Sequence, residues 1–120
     1  MLKKRLLVVD DEEKIRTLLT ACLESDYDVS VAGDGPTAVR MAKTLQLEGI
    51  ILDIGLPEMD GLSVLKELKL SAKTARIPVI MLSGRGESHA LLDARALGAC
   101  DYLIKPVNFE EVRATVRRYV

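Results

Sequence analysis

The sequence predicts an α/β fold, an open (βα)5 doubly wound sandwich in which a parallel sheet lies between two layers of helices. Three observations predict it. Short continuous apolar runs recur along the 120 residues, each bounded by charge or turn residues, as strands buried on both faces require. Stretches of helical period alternate with them, supplying the crossovers that parallel strands need. The length lies a little below the usual allowance of about 150 residues per domain, which argues for one compact module over residues 1–120.

The first strand is Leu6 to Val9, and Asp10 and Asp11 stand at its C-terminal end. From Glu12 to about Ser25, Ile15, Leu18, Leu19 and Cys22 follow the i, i+3, i+4, i+7 stripe of an amphipathic helix. Tyr27 to Ala32 is the second strand. The turn Gly33-Asp34-Gly35-Pro36 then places proline near the start of a helix carrying Ala38, Val39, Ala42 and Leu45. Gly49 to Asp53 is a buried third strand that again ends in a carboxylate, and a helix from about Gly61 to Leu70 follows. Pro78 to Ser83 is the fourth strand, and Glu87 to Leu97 the fourth helix, ended by Gly98. Asp101 to Ile104 is a short fifth strand, and Phe109 to Tyr119 the last helix.

Composition narrows the function. With 17 Lys and Arg against 18 Asp and Glu, the net charge of -1 provides no broad positive field for nucleic acid, and one Phe, three Tyr and no Trp provide no stacking platform. Cys22 and Cys100 lack metal-ligand spacing and read as reduced, semi-buried thiols, which suits the cytoplasm. The apolar run behind the basic N-terminus is too short for a signal peptide or a membrane span.

In an open parallel sheet, ligands bind outside the carboxyl ends of the strands. Asp10 and Asp11, Asp53, Ser83 and Lys105 all stand at such ends and share one rim. Three crowded carboxylates repel one another unless a cation joins them, and an all-oxygen donor set in an open site suits Mg²⁺. A carboxylate facing Mg²⁺, an ammonium and a hydroxyl is arranged to become an acyl phosphate. Asp10 and Asp11 have a plainer reading as caps of the first helix. Gly84 and Gly86 lack a nucleotide-loop frame, and the single His89 reads as a surface residue.

Three segments resemble the receiver domain of two-component response regulators, the CheY-like superfamily, and the resemblance covers essentially the whole chain. They are Val8-Val9-Asp10-Asp11-Glu12, the run Leu52-Asp53-Ile54-Gly55-Leu56-Pro57-Glu58-Met59-Asp60-Gly61, and Gly98 through Pro106 with its Lys105-Pro106 pair. The resemblance implies the flavodoxin-like strand order 2-1-3-4-5 and a signalling domain that catalyses only its own phosphoryl transfer and dephosphorylation. It implies Asp53 as phosphoacceptor, Mg²⁺ held by Asp11, Asp53 and the Gly55 backbone carbonyl with Asp10 assisting through water, and Lys105 on the phosphoryl oxygens. Ser83 and Tyr102 stand at the positions of the family's switch hydroxyl and switch aromatic. Lys105-Pro106 stands where the family has a cis peptide bond.

The partners implied are a sensor histidine kinase or phosphotransfer protein, a downstream output domain or target, and a second copy in a phosphorylation-dependent homodimer. The chain departs from the family in places. Gly55 occupies the position two after the acceptor, where a larger side chain is common, and Arg85 the position two after Ser83; both flank the phosphoryl group in the family. Thr115 and Cys100 replace an arginine and an acid of the branch that dimerises through its fourth and fifth helices. Whether the chain acts alone or within a longer regulator stays open. Three rivals remain: an aspartyl phosphatase, which normally needs a second acid near the nucleophile where Gly55 stands, a flavin module, disfavoured by the acidic rim, and a non-phosphorylated scaffold.

Overall fold

In a computed structural model describing residues 2–84 and 86–120, five strands alternate with five helices. The strands are β1 (Lys4–Val9), β2 (Tyr27–Ala32), β3 (Gly49–Asp53), β4 (Val79–Ser83) and β5 (Asp101–Ile104). The helices are α1 (Glu13–Leu23), α2 (Gly35–Thr44), α3 (Gly61–Leu70), α4 (Ser88–Ala96) and α5 (Phe109–Tyr119). All strand pairs are parallel and the order is β2-β1-β3-β4-β5, as expected.

Successive side chains of a strand point to opposite faces, so a central strand covered on both sides must be apolar throughout. Leu7 and Val9 of β1, Ile50 and Leu52 of β3, and Val79 and Met81 of β4 form one core with Val39 of α2, Val64, Leu65 and Leu68 of α3 and Ala94 of α4. Leu6, Val8, Ile51, Ile80 and Leu82 turn the other way, against Leu19, Cys22 and Leu23 of α1 and Val112 and Val116 of α5. The edge strands β2 and β5 retain exposed positions, including Asp28 and Tyr102.

Several boundaries differ from the sequence reading. β1 begins at Lys4 rather than Leu6, because Lys4 and Arg5 pair in register with Tyr27 and Asp28 although their side chains are exposed. α1 is shorter at both ends, with Glu12 at its N-cap. Pro78 has no N–H to continue the ladder, so β4 starts at Val79 while the Pro78 carbonyl still accepts from Ile50 N. Leu45 is the extended C-cap of α2 rather than part of its helical face, and α4 is one residue shorter at each end than expected. Gly98, at φ 107°, ends α4 in the left-handed region that glycine adopts without strain. Cys22 is buried and Cys100 half-buried, both free thiols, and burial raises both pKa values.

Candidate functional site

Register brings the strand ends together. Val9 pairs with Leu52, Asp53 with Leu82 and Ser83 with Ile104, so Asp10, Asp53, Ser83 and Lys105 arrive at nearly the same level of four adjacent strands. The crossovers run from β1 outward to β2 and from β3 outward to β4. The crevice between β1 and β3 is therefore the topological switch point. Gly61 keeps it tight: a Cβ there would lie 2.2 Å from the Asp53 carbonyl oxygen, so only glycine lets α3 start so close to the end of β3.

One carboxylate oxygen from each of Asp10, Asp11 and Asp53 lies within 4.8 Å of the others. Asp10 is fully buried, Asp53 nearly so, and Asp11 exposed. The Lys105 ammonium enters from the β5 side, 2.8 Å from Asp10 Oδ2, 3.5 Å from Asp53 Oδ1 and 3.9 Å from Glu12 Oε1. Backbone donors fix the acids: Glu12 N donates to Asp10 Oδ1 at 2.9 Å and Gly55 N to Asp53 Oδ1 at 3.2 Å. The capping reading of the acidic pair does not hold. Glu12 is the N-cap of α1, and no side chain caps that helix.

Burial and the Asp10 charge push the Asp53 carboxyl up from its ordinary value, against the opposing pull of Lys105 and the Gly55 N–H. For Lys105, burial works against the ammonium, but its bond to Asp10 and the charges of Asp53 and Asp10 outweigh it and raise its pKa. Lys105 is therefore a cation at neutral pH. Among the described residues, the Lys105 ammonium and the Arg16 guanidinium, which donates to the Asp10 carbonyl at 2.8 Å, stand against Asp10, Asp11, Asp53 and Glu12, so negative charge remains in excess at the rim. The donor set is carboxylate oxygen alone, which fits a hard divalent ion, Mg²⁺ above all. Ser83 is fully buried, and its hydroxyl has no hydrogen-bond partner among the described residues.

Not every candidate joins the cluster. Tyr102 lies on the edge strand, 45% exposed, and lines a groove with Leu91, Leu92, Arg95 and Ala99 instead. Gly55 lies in the turn after Asp53, exposed. Arg85 lies outside the described residues. The Lys105-Pro106 peptide bond is cis. His89 is an exposed residue of α4, and Thr115 is buried in α5. Two acids at the rim escaped the sequence reading: Glu12, adjacent to the acidic pair, and Glu87, whose carboxylate accepts from Gly84 N beside Ser83. Adjacency is a signal for Glu12. For Glu87 the signal is a spacing: it stands three residues after Gly84, within side-chain reach of that residue's N–H.

Residues 6–117 match the sequence pattern of the response regulator receiver domain. This chain belongs to that family. The receiver domain is 42% identical over 117 residues to the alkaline phosphatase synthesis transcriptional regulatory protein PhoP of Bacillus subtilis, covering 97% of this chain and 48% of PhoP. The chain thus spans about half the length of that relative. Among solved structures, chemotaxis protein CheY4 of Vibrio cholerae superposes with a TM-score of 0.92 at 28% identity, over 98% of this chain and 99% of CheY4. The receiver domain of sensor histidine kinase PA1611 from Pseudomonas aeruginosa, with a magnesium ion coordinated in its active site cleft, gives 0.89 at 30% identity, over 98% of this chain and 97% of that one. Among the described residues of this receiver domain, no helix is long and apolar enough to cross a membrane.

Proposed function

We propose that residues 1–120 form a Mg²⁺-dependent phosphoacceptor switch of a two-component system, with Asp53 as the acceptor. The observation that carries this reading is the buried Asp53 carboxylate, with oxygens of Asp10 and Asp11 within 4.8 Å and the Lys105 ammonium 3.5 Å away. An Asp53 oxygen attacks the phosphorus of a partner's phosphohistidine. The new P–O bond forms as the P–N bond breaks, and the imidazole leaves with its electron pair and takes a proton. A carboxylate approaching an anionic donor needs cationic screening, which Mg²⁺ supplies when bound. Asp11, Asp53 and the Gly55 carbonyl would hold the ion, and Asp10 would assist through water while anchoring Lys105. Lys105 stays protonated and pairs with the phosphoryl oxygens.

The Ser83 hydroxyl donates to the same oxygens, and Tyr102 at the edge strand reports the change on the face of α4, β5 and α5. Phosphorylation shifts the balance between two conformations of that face. A sensor histidine kinase or phosphotransfer protein supplies the phosphoryl group in the cytoplasm. An output domain, a separate target or a second copy of the chain reads the result. Because the chain spans about half of PhoP, an output domain in the same polypeptide fits the proposal.

Incubation with acetyl phosphate and Mg²⁺ tests it. Mass spectrometry is expected to show one added phosphoryl group, chelation to prevent the addition and Asp53→Ala to abolish it, with borohydride reduction mapping the acyl phosphate to Asp53. Modification that persists in Asp53→Ala, or that maps to Ser83, sinks the assignment.

A further inference from the structure

Glu87 sets a fifth carboxylate at the rim. Glu87, the residue preceding α4, makes no capping bond to that helix. Its Oε1 instead accepts a hydrogen bond from the backbone N–H of Gly84, the residue after Ser83. Its Oε2 reaches toward the acceptor: the point where a Cβ of Gly55 would stand is 3.5 Å from Glu87 Oε2 and 4.0 Å from Asp53 Oδ1. Glu87 and Asp53 thus face the same small volume, and the absence of a side chain at Gly55 leaves that volume open. The buried, unpartnered hydroxyl of Ser83 stands at the end of β4, next to the N–H that Glu87 holds. The Ser83 hydroxyl and the Gly84 N–H are donors on consecutive residues, and the N–H is already taken by a carboxylate of the protein's own.

We propose that Glu87 is a latch on the phosphoryl cradle, a carboxylate that holds the Gly84 N–H in the unmodified chain and is displaced when Asp53 is phosphorylated. The inference rests on Asp53 as acceptor. A phosphoryl group on Asp53 carries close to two negative charges and three strong acceptor oxygens. Placed beside Glu87, it repels that carboxylate and competes for the same N–H. Glu87 directly precedes the first turn of α4, so its release frees the loop and the start of a helix that buries only Ala94. The latch therefore opposes phosphorylation and couples it to movement of α4. Glu87 is a positioning residue in this scheme and makes no bond to phosphorus.

Titration with beryllofluoride in saturating Mg²⁺ tests the latch, comparing the parent with Glu87→Gln and Glu87→Ala while ¹⁵N spectra follow the Gly84 amide. Removal of a like charge from a partly buried rim is expected to tighten beryllofluoride binding about tenfold or more in Glu87→Ala. Glu87→Gln, which keeps an acceptor oxygen without the charge, is expected to fall between. The Gly84 amide resonance should differ between parent and Glu87→Ala before the addition, and converge afterwards because the same fluoride then accepts from it. Equal affinity in all three proteins, or a Gly84 resonance indifferent to Glu87, overturns the latch and leaves Asp53 as acceptor untouched. No beryllofluoride binding by any of them, with no phosphorylation of Asp53, overturns the acceptor reading and the latch together.

Discussion

Asp53 is buried beside the buried Asp10, and two carboxylates so placed repel one another, a cost that Lys105 offsets only in part. The raised pKa of Asp53 has burial as its first cause and the Asp10 charge as its second, with Lys105 offsetting part of both. The sign of the linkage follows. A group whose pKa is raised on folding favours the native state below its unfolded value, and that contribution is lost as pH rises through the folded value. At neutral pH, without metal, Asp53 is therefore on the unfavourable side. Asp53→Asn keeps the shape and removes the charge, so its melting temperature without metal is expected to exceed the parent's at pH 7. The gap should narrow as pH falls through the Asp53 titration, where the parent takes up its proton. Thermal melts from neutral to acid pH measure it, and a parent that melts higher than the variant at pH 7 removes the repulsion argument. The identity of the acids was legible from the sequence because each stands where an apolar run stops. Their burial was not, since Asp10 and Asp11 are neighbours in sequence and yet one is fully buried and the other exposed.

Elements were most legible where both faces are covered. β3 and β4 bury every residue, so their apolar runs have sharp ends, and β3 lies where the pattern places it. β1 extends beyond its apolar run because Lys4 and Arg5 contribute backbone to the ladder and side chains to solvent, which hydropathy alone does not separate. Helix ends depended on caps. Asp34 and Asp60 accept from Thr37 N and Ser63 N and fix the starts of α2 and α3, while α1 and α4 lack side-chain caps and are shorter than their sequence pattern predicts. The Asp34 cap has a pH signature. The Thr37 N–H bond, followed by a contribution from the Thr37 side chain, lowers the Asp34 carboxyl from its ordinary range. A depressed carboxyl stabilises above its unfolded value, and that stability is lost as pH falls through the folded value. Asp34→Ala is thus expected to melt below the parent at neutral pH, with the difference closing in acid. A difference that stays constant down to the lowest pH at which the protein folds would assign the effect to packing and not to the charged cap.

At the scale of the whole molecule, the alternation of strands and helices gave the sandwich, whereas the strand order came from family resemblance. Periodicity cannot distinguish one sequence of right-handed crossovers from another. That order is what makes a site, because only with β1 between β2 and β3, and β5 beside β4, do Asp10, Asp53 and Lys105 meet. Glu87 reaches Gly84 N from three residues away, but its nearness to Gly55 and Asp53 depends on β3 and β4 lying side by side, which the local pattern does not state. A cation that binds this rim joins groups from separate strands, and it binds the native chain because the unfolded chain does not assemble them. Mg²⁺ is therefore expected to raise the melting temperature, by about 1.4 kcal/mol of stability at tenfold excess over its dissociation constant. Asp11→Asn is the clean probe, since Asp11 is exposed and its side chain carries little of the packing. Without metal the variant should melt at or above the parent, relieved of one like charge, and with Mg²⁺ its gain should be smaller than the parent's at every concentration. Calorimetry across a Mg²⁺ series decides the matter, and a gain in Asp11→Asn equal to the parent's would take Asp11 out of the metal site.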